Sequence, residues 1–224
     1  MSVSVFCNKK GKQYFKLSNK NIAINLLGKF NIYNTLAAIV AAKKLNIKED
    51  DVIDALEKVG VVDGRFNVYE VGGRCFIIDY AHTPDGLKNI LIESKNIAKN
   101  EKLICVFGCG GNRETQKRSK MGEISTQIAD FTIITSDNSR FEDKKQIIKE
   151  IEKGIINSNN YITIIDRKEA IKKAFEISCV GDIIVVAGKG SENYIDEMGE
   201  KKPYSDVEEI MKLGEINEWF IFDY

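Results

Sequence analysis

Asp79 and His82 stand three residues apart in "DYAHTPD" (79–85), directly after the apolar run "CFII", and His82 is the chain's only histidine. An imidazole at the end of such a run can move a proton or meet a polar ligand, and it can equally be a hydrogen-bonding group at a helix start. Three more stretches have similar potential. "GCGGNR" (108–113) offers glycines whose backbone can approach a ligand closely, followed by the cation Arg113. "SDNSR" (136–140) holds Asn138 and Arg140, and "GKGSEN" (188–193) holds Gly188 and Glu192. Neither glycine-rich stretch is a P-loop: the first lacks a following Gly-Lys-Ser/Thr and the GxGxxG spacing, and the second lacks the four-residue spacer. Each alone also reads as a turn, and "SDNSR" as an Asx turn capping the next helix, with Arg140 solvated.

The elements around these stretches favour a shared site. "RCFIID" (74–79), "KLICVFG" (102–108), "FTIITS" (131–136), "YITIID" (161–166) and "DIIVVAG" (182–188) are near-continuous apolar strands. They alternate with amphipathic stretches at 84–98, 117–129, 143–156 and 167–178. That rhythm predicts an α/β fold with a mostly parallel sheet covered on both faces. Ligands of such sheets bind beyond the carboxyl ends of the strands, and four of the five strands run into the polar loops above. The fourth ends in "DRKEA", an ordinary helix start. Four such loops on one edge exceed what turn-making needs, and they point to a site that grips a polar ligand.

Before Gly64 the pattern differs. Residues 2 to 17 alternate as strands around a turn at "NKKGKQ". "GKFNIYNTLAAIVAAKKLNI" (28–47) reads as a helix with Leu36, Ala37, Ile39, Val40 and Leu45 at helical spacing. "KEDDVIDALEKVG" (48–60) reads as a second helix, acidic in its first turn and closed by Gly60. The 33 basic and 33 acidic residues cancel, so no net field draws nucleic acid or a membrane surface. No apolar run approaches the ~20 residues of a membrane span. The five cysteines are scattered without zinc-site spacing, which fits a cytoplasmic chain with reduced thiols and no metal site of its own. The closing "EINEWFIFDY" is unusually apolar and suggests no function.

"GKFNIYNTLAA", "GRFNV", "DYAHTPDGL", "VFGCGGNRETQKR", "TSDNSRFED" and "AGKGSENY", in this order, closely resemble the Mur ligases. The nearest type, MurE, joins an amino acid to UDP-N-acetylmuramoyl-L-alanyl-D-glutamate. The resemblance implies that residues 1–62 are the tail end of the central ATPase domain and 63–224 the Rossmann-like C-terminal domain. It implies an ATP-dependent carboxylate–amine ligation in peptidoglycan biosynthesis, through an acyl phosphate. Asp79 would meet the ribose of ATP, Arg65 and His82 the phosphates, and Asn31 the adenine. Asn138, Arg140, Gly188, Glu192 and Arg113 would bind the incoming amino acid. Arg140 points to meso-diaminopimelate, whose distal carboxylate a guanidinium can grip in a bidentate fork. Ser139 and Ser191 depart from the family's proline and histidine, and Ser139 leaves its loop freer than proline would.

The P-loop, the UDP-binding domain and the modified lysine that helps hold Mg2+ have no counterpart here. The expectation is a fragment whose partners are the missing N-terminal and P-loop domains, the UDP-sugar dipeptide and the free amino acid. A non-catalytic amino-acid or nucleotide module is the alternative, and another Mur or folylpolyglutamate-type ligase is a third. The chain alone is expected to show no ATP-dependent ligation. ADP release that needs both the UDP-sugar dipeptide and the amino acid would refute this.

Overall fold

The computed structural model describes residues 3–9, 12–17, 20–214 and 216–217, with backbone alone at 3–9 and 216–217. The centre of the "NKKGKQ" turn and, apart from Ile216–Asn217, the apolar C-terminal stretch lie outside the described residues. The described residues form two compact units that divide between Val62 and Asp63.

In the first unit, β1 (Val3–Lys9), β2 (Lys12–Leu17) and β3 (Lys20–Ile24) form an antiparallel meander. Helices α1 (Lys29–Lys44) and α2 (Glu49–Lys58) follow. Phe15, Leu17, Ile22, Ile24, Ile32, Ile39 and Val52 make its core. Two details differ from the sequence reading. Val40 and Leu45 of the α1 segment are exposed, so the buried face is carried by Ile32, Thr35 and Ile39. Helix α2 ends at Val59 turning to extended backbone, and Gly60 is not a left-handed cap.

The second unit contains the strands expected of a doubly covered sheet. In chain order these are β4 (Asn67–Val71), β5 (Arg74–Asp79), α3 (Pro84–Ala98), β6 (Leu103–Phe107), α4 (Gln116–Ile128), β7 (Phe131–Ile134) and α5 (Lys144–Glu152). Then come β8 (Tyr161–Thr163), α6 (Arg167–Ile177), β9 (Ile183–Ala187), the hairpin β10 (Tyr194–Glu197) and β11 (Glu200–Pro203), α7 (Asp206–Met211) and β12 (Ile216–Asn217). The sheet order is β12-β4-β5-β9-β6-β7-β8. Strands β5, β9, β6, β7 and β8 are parallel, and β4 and β12 add an antiparallel edge.

Period-two alternation sorts the strand residues between the faces. Phe76, Ile78, Ile104, Val106, Ile133, Ile184 and Val186 pack with Ala170, Ile171 and Ala174 of α6 and Ile210 of α7. Ile77, Cys105, Phe107 and Val185 alternate with them and are just as buried on the other face, where α3 packs on β6 and β9 and α4 on β7. Local chemistry starts three helices cleanly: Thr83, Asp143 and Asp166 are N-caps accepting from Gly86, Lys145 and Glu169 backbone N–H, and Pro84 opens α3. No helix among the described residues is long and apolar enough to cross a membrane.

One ion pair lies wholly inside this unit. Arg167 at the start of α6 donates from Nε and Nη2 to the two oxygens of Asp206 at the start of α7, both at 2.8 Å, and from Nη2 to the Ala187 carbonyl at 3.0 Å. Both side chains are inaccessible to solvent. Removing one partner strands a charge in the interior, so Asp206→Ala should cost about 3–5 kcal/mol. A calorimetric melting temperature lowered by only a degree or two would contradict that, since for a unit of this size each kcal/mol moves it roughly 2–4 °C.

Candidate functional site

The parallel strands bring the four polar loops together at one edge. Tyr80 N–H donates to the Gly64 carbonyl at 2.8 Å, Gly188 N–H to the Asp79 carbonyl at 3.0 Å, and Gly111 N–H to the Asn138 carbonyl at 2.8 Å. Missing side chains make this possible. A Cβ on Gly190 would lie 2.7 Å from the Gly64 carbonyl oxygen, and one on Gly188 2.7 Å from Asp137 Oδ2. Both glycines have positive φ.

At one end of the edge, Asp79 closes β5. Its Oδ2 accepts from Phe66 N–H and its Oδ1 from Ala81 N–H, each at 2.8 Å. Burial pushes its carboxyl above the usual range, opposed by those two backbone donors and by Arg65. Asp79 is therefore also a staple for the loops around it, and its replacement would disturb local structure as well as any ligand contact. The Arg65 guanidinium lies 4.9 Å from the Tyr80 ring centroid, and the His82 ring meets the same tyrosine edge-on at 4.8 Å. His82 Nδ1 is 2.9 Å from the Tyr80 carbonyl. A carbonyl only accepts, so in this contact Nδ1 is the protonated nitrogen, which leaves Nε2 able to donate only when the ring is charged. Lys117 donates to the His82 carbonyl at 2.8 Å and adds a cation that sequence reasoning missed. Arg65, Asp79 and His82 thus come together, whereas Asn31 lies in the first unit. There it donates to the Leu27 carbonyl at 2.6 Å and accepts from Asn34 Nδ2 at 3.1 Å.

Toward the other end, Asn138 is the hub. Its Nδ2 donates to Glu192 Oε2 at 2.8 Å, and its Oδ1 accepts from Lys189 Nζ at 3.1 Å and from Asp196 N–H at 2.9 Å. Lys189, fully buried, also donates to Glu192 Oε2 at 3.1 Å, and Asp137 Oδ1 stands 3.9 Å away. Neither Lys189 nor Asp137 was singled out from sequence, because a lysine between glycines and an aspartate in a turn both read as solvated. Arg140 has φ 50°, a left-handed backbone for a long side chain. The hairpin holds it there: Arg140 N–H donates to the Asp196 carbonyl at 3.0 Å, and Met198 N–H to the Arg140 carbonyl at 2.7 Å. Its Nη1 donates to the Gly111 carbonyl at 2.8 Å, and its remaining donors make no hydrogen bond among the described residues. The loop freedom expected of Ser139 is absent, since Ser139 is buried against Gly111 and flanked by these bonds. Arg113 is exposed on the 108–113 loop.

Cys75, Cys105 and Cys109 are buried in apolar surroundings, which pushes the Cys75 and Cys109 thiols up to about 12 and raises that of Cys105 as well. Such burial disfavours the thiolate that a nucleophile needs. Among the described residues no group of three His, Cys, Asp or Glu could hold a metal ion.

The edge therefore has a cationic, aromatic end and a mixed-charge end, on a parallel α/β domain of the ligand-binding type. Residues 64–190 match the family "Mur ligase, glutamate ligase domain", and the chain belongs to the Mur ligase family. It is 48% identical over 176 residues to a UDP-N-acetylmuramoyl-L-alanyl-D-glutamate–2,6-diaminopimelate ligase from Syntrophomonas wolfei, covering 77% of this chain and 36% of that protein. A solved structure of a ligase of that name superposes with a TM-score of 0.66 at 38% identity, covering 90% of this chain and 42% of the other. A pseudomurein peptide ligase type C from Methanothermus fervidus gives 0.63 at 25% identity, covering 84% and 39%. The chain thus spans less than half the length of these relatives.

Arg118, fully buried in α4, ties the 108–113 loop to its neighbours. It donates to Glu142 at 2.8 and 3.0 Å, to Glu150 at 2.7 Å and to the Gly110 carbonyl at 3.2 Å. The guanidinium holds the Glu142 carboxyl below the usual carboxylate range; Glu150 is lowered first by Gln146 and then by Arg118. Because these values are lowered on folding, their stabilisation is present above the unfolded carboxylate value and is lost as pH falls through the folded ones. Glu142→Gln should therefore flatten the decline in melting temperature below about pH 4.5. Parallel curves for the parent and the variant would dismiss the clamp.

Proposed function

We propose that this chain carries the amino-acid-binding part of an ATP-dependent ligase. The ligase would join meso-diaminopimelate to UDP-N-acetylmuramoyl-L-alanyl-D-glutamate in peptidoglycan biosynthesis. The names of its relatives support the reaction. The observation that carries the substrate is the placement of a guanidinium with free donors, Arg140, two residues from Asn138, which is bonded to the carboxylate of Glu192. A distal centre bearing both a carboxylate and an ammonium group is what such a pair would grip. Gly188 keeps the backbone close beside Asp137 there, and Arg113 on the neighbouring loop adds a second cation for the ligand's carboxylates.

ATP would supply the phosphoryl group that activates the UDP-sugar carboxylate. Arg65 and His82, arrayed on the Tyr80 ring, would stabilise charge on the transferring phosphate oxygens, with Lys117 beside them. Asp79 would accept from ribose hydroxyls with the lone pairs its backbone donors leave unused. Asn31 as an adenine contact is supported by the resemblance alone. No group of three His, Cys, Asp or Glu gathers among the described residues to hold Mg2+; in a full-length ligase, magnesium, the P-loop and the UDP-binding function would come from partner N-terminal domains. A cytoplasmic location suits these substrates.

Specificity is testable through Arg140. In the full-length enzyme Arg140→Ala should depress kcat/KM for meso-diaminopimelate by the equivalent of about 2–5 kcal/mol, since a ligand carboxylate loses its partner. Use of lysine should change far less. A folding defect lowers both together, so the ratio is the informative quantity. An unchanged ratio would remove Arg140 from the substrate site.

A further inference from the structure

Lys189 sits where two acids and an amide converge. Its ammonium group is fully buried, donates at 3.1 Å to both Asn138 Oδ1 and Glu192 Oε2, and lies 5.6 Å from the Tyr194 ring centroid. Burying an ammonium group is costly unless it is paired and hydrogen-bonded, so mere packing would be better served by an apolar side chain. The bonds show what the charge does. Glu192 Oε2 receives both Lys189 Nζ and Asn138 Nδ2, whereas Glu192 Oε1 makes no hydrogen bond among the described residues. Asn138 Oδ1 is in turn fixed between Lys189 and the Asp196 N–H. Glu192 pairs with this internal ammonium at 3.1 Å, and Asp137, which also lies in the field of the buried Arg167, stands 3.9 Å from it.

We propose that Lys189 is a positioning residue of the amino-acid site: it holds Glu192 by one oxygen so that Oε1 faces the distal ammonium group of the substrate. The proposal rests on the reading of the site given above. Without Lys189, Glu192 would keep only the Asn138 amide as an anchor and would lose the ammonium group that it and Asp137 both meet.

The test uses the full-length ligase and whichever amino acid the parent adds most efficiently, compared across Lys189→Met, Glu192→Gln and the double variant. Each single substitution should raise KM for the amino acid by ~10–100-fold, as expected for loss of a charge-assisted hydrogen bond. KM for ATP and for the UDP-sugar dipeptide should stay near parent values, and kcat should fall less than KM rises. The double variant should be no worse than Glu192→Gln, because both changes act through the same carboxylate. Should Lys189→Met fail to fold, the double variant, which removes both charges together, is compared directly with Glu192→Gln. The proposal is overturned by multiplicative effects in the double variant, by an unchanged amino-acid KM in either single variant, or by equal rises for all three substrates. A parent that adds no diaminopimelate would sink the substrate reading alone, since the same comparison is then read on the amino acid it does add.

Discussion

Where the loop after β6 meets the loop after β7, two backbones touch with no side chain between them. Gly111 donates to the Asn138 carbonyl, and the places where Cβ atoms of Gly108 and Gly111 would stand are filled by the carbonyls of Thr135 and Ser139. Only glycine permits that approach. From this crossing the rest of the ligand edge is hung: Arg140 reaches back to the Gly111 carbonyl, Arg118 holds that of Gly110, and the β10–β11 hairpin attaches through the backbone of Arg140. A substitution at Gly111 would push apart two loops that carry Arg113, Asn138 and Arg140.

The arginines show how a fold separates scaffold from chemistry. Arg118 and Arg167 are wholly buried and engaged by carboxylates, so their charges are neutralised where they stand. Arg65 and Arg113 are exposed, and Arg140 is half-buried with most of its fork making no hydrogen bond among the described residues. The same residue type serves both purposes, and what decides is whether an acid from a neighbouring element already occupies the guanidinium. The acids divide likewise: Asp206 and Glu142 complete internal arginines, whereas Glu192 keeps one oxygen without a partner among the described residues.

Much of this was legible in the residues because parallel strands buried on both faces leave a blunt signal. All five were read from continuous apolar runs, and the helices between them from amphipathic spacing. Elements without that signal were missed. β4 is short and half-buried, the β10–β11 hairpin is polar and largely exposed, and α7 is too brief to show a period. The four ligand loops were found because each follows a legible strand, but their internal wiring was not. Lys189 is buried by Asn138 and Asp137, some fifty positions earlier in the chain, a pairing no local pattern encodes. The apolar side of α1 was overread for a similar reason, since only the fold decides which of its apolar residues find a partner.

The position of β9 carries a consequence for how this unit comes into being. Among the parallel strands it is the latest in the chain, yet it lies between β5 and β6, with Cys75 paired to Ile183 and Leu103 paired to the same residue. Until β9 arrives, β5 and β6 have no strand between them, and the two halves of the sheet are joined only through chain connections. Such non-local closure raises contact order and slows folding. During synthesis the N-terminal strands must wait with unpaired inner edges, the state in which chains are most prone to pair wrongly with one another. Its carboxyl end also delivers Gly188, Lys189 and Glu192, so the strand that closes the sheet is the one that completes the ligand edge.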